Sequence, residues 1–173
     1  MAQTEAPFKD VVEVLNYALT LEHLEATFYR EAVEMFDAAA YVAIGFQESV
    51  RDRIVDIAKH EKDHVDALTA VITQLEGTPV EEANYDFGYT DLTSFLATAA
   101  VIEGVGVSAY QGAAQYLQEN GDLLTAALTI HGVEARHAAY LNLLTDANPF
   151  PDAVNPTLTP AEVLETATPF FVS

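Results

Sequence analysis

The sequence predicts an all-α fold, a four-helix bundle made of two antiparallel helical hairpins joined by a long crossover. Four long stretches place apolar residues at the spacing of an amphipathic helix. Short connections join the first stretch to the second and the third to the fourth, as in helical hairpins. A longer segment separates the second stretch from the third. One long connection between two hairpins is an established topology of four-helix bundles.

The composition is that of one compact domain. The chain has 173 residues, of which 50% are hydrophobic, enough for a sizeable core. It contains no cysteine, which excludes disulfides, thiolate metal sites and thiol chemistry. Any bound metal must therefore have oxygen and imidazole ligands.

The charge of the chain excludes several partners. Because the net charge is −20 with only 7 lysines and arginines, we expect no nucleic-acid partner. Residues 1–10 lack the features of a signal peptide, and we identify no membrane span, so we expect a cytoplasmic protein. This acidic, lysine-poor composition resembles that of proteins from salt-loving organisms, in which salt screens self-repulsion.

The first two predicted helices cover residues 8–39 and 47–76, the second ending at a glycine. In each, charged or imidazole side chains interrupt the apolar stripe where core residues are expected. These are Glu22 in the first helix and Glu61 and His64 in the second.

The third and fourth predicted helices cover residues 91–119 and 122–147 and end at Asn-Gly and Asn-Pro, respectively. Their apolar stripes are interrupted in the same way. The interruptions are Glu103 in the third helix and Glu134 and His137 in the fourth.

The remaining segments are the crossover and a C-terminal tail. The 14 residues of the crossover, 77–90, reach about 46 Å when extended, which matches the length of a long helix. Tyr85, Phe87 and Tyr89 alternate along it, as they would if one edge packed on the bundle, and the alternative is an aromatic-rich solvated loop. The tail contains a capping box at residues 159–162, which predicts one short helix. Its apolar end, residues 169–172, predicts burial against the bundle or a neighbouring subunit.

The predicted turns bring the glutamates and histidines that interrupt the apolar stripes to one level of the bundle. Glu22 lies 21 residues before a turn near Ala43, and His64 lies 21 residues after it. In the second hairpin, Glu103 and His137 each lie 17 residues from the turn. At about 1.5 Å per residue, the heights in each hairpin agree within one turn. The chain is therefore a weak internal duplication, in which a glutamate followed by Glu-x-x-His occurs twice.

This arrangement predicts a two-metal carboxylate site. A glutamate and a histidine three residues apart lie on one helix face and can reach one ion. Four carboxylates in an apolar bundle would cost several kcal/mol each unless protons or cations neutralised them. Carboxylate and imidazole ligands suit iron or manganese. The alternative is that these residues lie on solvated helix faces. The six predicted ligands are Glu22, Glu61, His64, Glu103, Glu134 and His137.

Several segments resemble a known superfamily. Residues 15–22, with Tyr29 seven residues after Glu22, are similar to the first helix of bacterioferritin, and the order of the predicted ligands resembles that of the ferritin-like superfamily. The nearest resemblance is to the ferritin-like family that includes desiccation-related proteins, and residues 21–26, 102–110, 133–138 and 158–164 carry it. Together with the predicted helices and the prolines of the tail, it gives a ferritin-like four-helix bundle over residues 1–148 and a Pro-containing tail over 149–173.

The resemblance also implies roles for the ligands. Glu22, Glu61 and His64 would bind one metal and Glu103, Glu134 and His137 the other, with Glu61 and Glu134 bridging. The cofactor would be two iron ions, with manganese as the alternative, and the reactants ferrous iron and dioxygen or hydrogen peroxide. Haem is not expected, because neither methionine lies near the ligands of the second helix.

For two residues of the first helix, the sequence is compatible with more than one role. Tyr29 is the candidate catalytic residue, as a hydrogen-bond donor or radical relay, and the alternative is a packed aromatic side chain. Glu25 competes with Glu22 as the ligand of that helix.

Three functions agree with these expectations. They are a di-iron oxidoreductase of the ferroxidase, peroxidase or catalase type, an iron-storage subunit, and a stress or desiccation protein without redox activity. In each case we expect a homo-oligomer.

Overall fold

The computed structural model describes residues 7–172, which are helical with extended connections and contain no β-strand. The predicted all-α fold and the short C-terminal helix are confirmed. The helices are α1 (Val11–Met35), α2 (Ala38–Ala43), α3 (Ser49–Gln74), α4 (Leu92–Ala113), α5 (Gly121–Leu144) and α6 (Pro160–Ala167), and 3-10 turns follow α4 and α6.

The first helix is shorter than its apolar pattern predicts. Phe36 adopts an extended conformation and ends α1, and the Asp37 side chain then caps α2 by accepting a hydrogen bond from the backbone N–H of Ala40. The prediction of one helix over residues 8–39 was therefore wrong at its C-terminal end. A side chain that caps a new helix start outweighs continued periodicity.

The third predicted helix was also too long. The α-helix ends at Ala113, and the chain continues as a 3-10 turn over Ala114–Leu117. Such tightening is common where a helix ends. The tail passes directly against this region, because a Cβ at Gly112 would lie 2.0 Å from the carbonyl oxygen of Leu158.

The crossover runs along α1 for most of its length. Near the start of α1, the side chain of Asn16 accepts a hydrogen bond of 2.8 Å from the N–H of Val80. Further along α1, Arg30 forms an ion pair of 2.7 Å with Glu82. At the end of α1, the ring of Phe36 packs against that of Tyr89. The crossover therefore ends at the end of the bundle where α1 ends, and α4 begins there. As a result, α4 runs antiparallel to α1.

The aromatic residues of the crossover pack on the bundle, as their alternation predicted. Phe87 is buried against Phe28 with ring centroids 5.0 Å apart, and Tyr85 and Tyr89 are partly buried. The tail joins the same layer: the N–H of Val172 donates to the carbonyl of Asn84, and the N–H of Asp86 donates to that of Phe170.

Buried apolar residues lie on both sides of a polar layer in the bundle. On the side towards the C-terminal end of α1 they include Phe28, Ile54, Phe95 and Leu141, and on the other side they include Leu19, Val65, Leu68, Ile72 and Tyr110. On all four long helices the predicted ligands fall between apolar residues of the two sides. The polar layer is thus shielded at both ends of the bundle.

Residues 92–117 are long and apolar enough to cross a membrane, and an 18-residue stretch within them has a mean hydropathy of 1.5. In this structure 56% of that stretch is buried inside the bundle, and Glu103 lies within residues 92–117. Its apolar character thus matches the position of α4 in the core, which is compatible with a soluble protein.

Candidate metal centre

The six predicted ligands meet in the polar layer and are all buried. The four glutamates have no exposed surface, and the two histidines are 8% and 5% exposed. They form two groups of four in which the potential ligand atoms lie within 4.8 Å of one another. Glu61 and Glu134 belong to both groups. The groups are Glu22, Glu61, His64 and Glu134, and Glu61, Glu103, Glu134 and His137.

His64 is surrounded by carboxylates. Its Nδ1 atom lies 3.2 Å from Glu22, 3.1 Å from Glu61 and 3.1 Å from Glu134. These oxygens come from α1, α3 and α5, so one ring nitrogen marks the point where three helices converge. A cation near that nitrogen would be within reach of all three carboxylates.

His137 occupies the equivalent position in the second group. Its Nδ1 atom lies 2.9 Å from Glu61 and 3.3 Å from Glu103. Its other ring nitrogen, Nε2, lies 3.0 Å from Nδ1 of His60, and the two rings are parallel within 5°. His60 precedes Glu61 by one residue and is about 100° around the helix, so the sequence placed it outward. It is exposed, but its ring reaches across to α5.

Two tyrosines hold the outer glutamates. Tyr29 is fully buried and donates a hydrogen bond of 2.5 Å to Oε1 of Glu103, and Tyr110 donates a short hydrogen bond to Oε1 of Glu22. Each tyrosine lies seven residues after the glutamate of its own helix and bonds to the glutamate of the other. Tyr110 was not among the site residues predicted from the sequence, although this shared spacing was a signal that could have identified it.

Glu25 is a fifth buried carboxylate beside the six ligands. It is 3% exposed but belongs to neither ligand group. A Cβ at Gly106 would lie 2.8 Å from Oε1 of Glu25 and 3.2 Å from Oε2 of Glu134. The absence of a side chain at Gly106 therefore makes room for both carboxylates. A cavity of about 20 Å³ lies between Glu25 and the tail residues Ala167 and Phe170.

Crowded carboxylates raise one another's pKa. Burial, and then the charge of Glu134, raises the pKa of Glu25 well above its usual range. Burial and the charge of Glu61 raise that of Glu134. For Glu61, burial and the charge of Glu103 outweigh the contacts with the histidines and raise the pKa to about 7.

The pKa values of the two histidines are also raised, but for a different reason. Burial lowers the pKa of His64, but contacts with Glu134, Glu22 and Glu61 outweigh it and raise the pKa to about 12. Burial likewise lowers the pKa of His137, and contacts with Glu103 and Glu61 raise it to about 9. Without metal, protons thus take the place of cations between the carboxylates.

Several potential metal-ligand atoms have no hydrogen-bond partner, as is expected of atoms that bind a metal. Buried atoms without a hydrogen bond include one oxygen of Glu61, one of Glu103, both of Glu134 and Nδ1 of His137. His137 Nδ1 is close to the carboxylates but is not oriented to hydrogen bond with them. Unpaired buried acceptors are costly unless a cation binds them. Two divalent ions would satisfy oxygen and imidazole donors of this kind, so the residues fit the group.

Comparisons with known proteins agree with the fold. Residues 10–147 match the family described as the ferritin-like domain. No curated protein is similar enough in sequence to count as a match. Among solved structures, the fold is similar to that of a conserved hypothetical protein from Mycobacterium tuberculosis, with a TM-score of 0.65 and 20% sequence identity. The alignment covers 82% of this chain and 94% of that one.

Proposed function

Because this chain belongs to the family of ferritin-like domains, we propose that it is a di-metal carboxylate protein that oxidises ferrous iron or consumes hydrogen peroxide. The observation that carries the proposal is the sharing of Glu61 and Glu134 by two groups of four buried ligands. Two carboxylates common to both groups would be shared ligands of two ions. We propose iron as the resident metal, with manganese as the alternative, and dioxygen or peroxide as the oxidant.

A bound metal pair would supply reversible changes of oxidation state, and the chain's residues would supply the surroundings. Glu22 with His64 and Glu103 with His137 would complete the two metal positions. Tyr29 and Tyr110 would orient the outer glutamates, each through one hydrogen bond. The buried apolar residues on both sides of the layer exclude water from it. On this reading, Tyr29 is a positioning residue, and a radical role for it stays a prediction.

The deciding experiment combines metal analysis with two activity assays. After reconstitution with iron or manganese, the wild-type chain should hold about two ions and oxidise ferrous iron or decompose peroxide. Glu61→Gln should reduce both metal content and rate, because it removes a ligand shared by the two positions. Asp63→Asn is the control, since it makes the same change at an exposed position of α3.

Fewer than one ion per chain, or equal rates in the wild type and Glu61→Gln, would overturn the proposal. Full metal occupancy without either activity would instead favour a stress-related protein that uses metal structurally.

We also propose that the protein acts in the cytoplasm as a homo-oligomer whose subunits meet through the first half of α5, residues 121–131. Leu128 in this half is 53% exposed. Most other apolar residues of α5 are only partly buried, although apolar helix surfaces are normally covered. Repulsion from a net charge of −20 opposes contact between copies, and α5 carries only Asp122, Glu134 and Arg136 as charged residues. A closed shell built from such contacts would make the chain an iron-storage subunit.

A further inference from the structure

A surface pocket lies where α3 and α5 face each other, directly outside His137. It has a volume of about 210 Å³. This pocket is separate from the cavity at Glu25, which lies near α4 and the tail. The side chains that could bind a ligand are those of Arg53, His60, Arg136 and Tyr140.

The pocket is basic on a strongly acidic protein. The chain contains four arginines, of which Arg53 and Arg136 both line this one pocket. The carboxylate in its lining is Asp56, which pairs with Arg53 at 3.0 Å. Among residues 7–172, Arg136 has no carboxylate partner. The guanidinium charge of Arg136 is therefore available to a ligand.

The floor of the pocket connects to the candidate metal centre. His60 lies 3.0 Å from Nε2 of His137, and the Nδ1 atom of the same ring faces Glu61 and Glu103. A ligand in contact with His60 would be separated from the carboxylate layer by the His137 ring. The apolar side chains of Ile57 and Val133 complete the lining.

These features favour an anion over a cation. Guanidinium groups bind oxyanions through charge-assisted hydrogen bonds of fixed geometry. The overall charge of −20 repels anions from the rest of the surface. An anion therefore binds preferentially in the pocket that contains two arginines. The pocket volume limits the ligand to a small one.

We infer that this pocket, formed by Arg53, Arg136 and His60, is a binding site for a small inorganic oxyanion. The site goes beyond the proposed function, because the guanidinium groups that form it do not depend on a bound metal. The anion docks one imidazole ring away from the carboxylate layer and is thereby coupled to it through the His60–His137 contact.

Inorganic phosphate is a suitable probe. In isothermal titration calorimetry at low ionic strength, the full chain as purified should bind one phosphate saturably. Arg136→Gln should weaken that affinity about tenfold or more, since it removes a charge-assisted hydrogen bond. Arg30→Gln is the matched control: it removes the same charge from α1, where Arg30 pairs with Glu82. The control should leave phosphate binding unchanged.

The location of the anion provides a second measurement. Crystals soaked in bromide should show an anomalous peak between the side chains of Arg53 and Arg136. Both arginines are solvent-exposed, so their substitution should leave the melting temperature nearly unchanged. Absence of saturable binding, equal weakening by Arg30→Gln and Arg136→Gln, or a bromide peak elsewhere would each overturn the inference. None of these results depends on metal content or activity, so they are distinguishable from failure of the proposed function.

Discussion

The hydroxyl of Tyr29 on α1 donates a hydrogen bond of 2.5 Å to Glu103 on α4, and this bond crosses between the two hairpins. Tyr110 makes the reciprocal bond from α4 to Glu22 on α1. Because the two helices are antiparallel, the tyrosines approach the carboxylate layer from opposite ends. The duplication in the sequence thus has a counterpart in the side-chain contacts that join its two halves.

Removing either tyrosine hydroxyl should weaken metal binding. In Tyr29→Phe, Glu103 loses the donor that fixes its orientation, and we expect metal affinity to fall about tenfold, as for other groups that orient metal ligands. Tyr110→Phe should have a similar effect through Glu22. Competition with a chelator of known affinity measures both. Unchanged affinity in the two variants would show that the packing of the rings alone orients the glutamates.

Two glycines of α4 should respond in opposite ways to substitution by alanine. Gly106→Ala places a methyl group 2.8 Å from Glu25, which must move, and we expect lower metal content and a loss of about 1–3 kcal/mol in stability. Gly104→Ala meets nothing within 4 Å and should gain up to about 1 kcal/mol from helix propensity. Urea denaturation compares the two variants. Equal effects would contradict the role assigned to Gly106.

Glu25→Gln should stabilise the metal-free protein. The folded state raises the pKa of Glu25, so its carboxylate costs stability once the pH exceeds the unfolded value of 4.5. The gain should therefore be absent below that pH and should grow above it. Thermal denaturation of metal-free wild type and variant between pH 4 and pH 8 measures this dependence. A gain that does not change with pH would indicate a packing effect instead.

Metal binding should release protons at pH 7.5. His64 and His137, with pKa values raised to about 12 and about 9, are protonated in the metal-free protein at that pH. Each must lose its proton to ligate a metal. Filling both positions should thus release at least two protons per chain, with a further contribution from Glu61 and Glu134, whose pKa values are also raised, and affinity should rise with pH. Titration calorimetry in buffers of different ionisation enthalpy counts the protons; no release would exclude the histidines as ligands.

A charge on the first half of α5 should break the proposed oligomer. Leu128→Glu introduces a carboxylate at a side chain that is 53% exposed in the single chain. If this half of α5 joins two acidic subunits, the variant should dissociate, and light scattering should report a smaller mass. Val101→Glu is the control, since Val101 is 56% exposed on α4. An unchanged mass in Leu128→Glu would place the interface elsewhere.

The spacing of apolar residues was enough to predict the helix bundle. The matching heights of the glutamates and histidines that interrupt this spacing were enough to predict that six side chains cluster. The match at equal height worked because helices have a fixed rise per residue, so distances along the sequence convert to heights. The helix ends were less predictable: Asp37 caps a separate short helix, although the apolar spacing continues through that point.

Contacts between hairpins were harder to predict than the ligands themselves. His60 lies on the outer side of α3, and only the approach of α5 brings it to His137. The angle between two helices that are distant in sequence is set by packing, which a single helix's periodicity does not contain. Gly106 is similar, since its role depends on Glu25 of another helix.

The tail and the crossover have a consequence for biosynthesis. All six candidate ligands precede residue 138, whereas Phe170 and Val172, which bond to the crossover, are made after them. Since a chain is synthesised from its N-terminus, the complete set of donors emerges before the segment that closes over the Glu25 side. We expect the nascent bundle to be open to ions on that side until residues 170–172 have emerged from the ribosome and packed against the crossover.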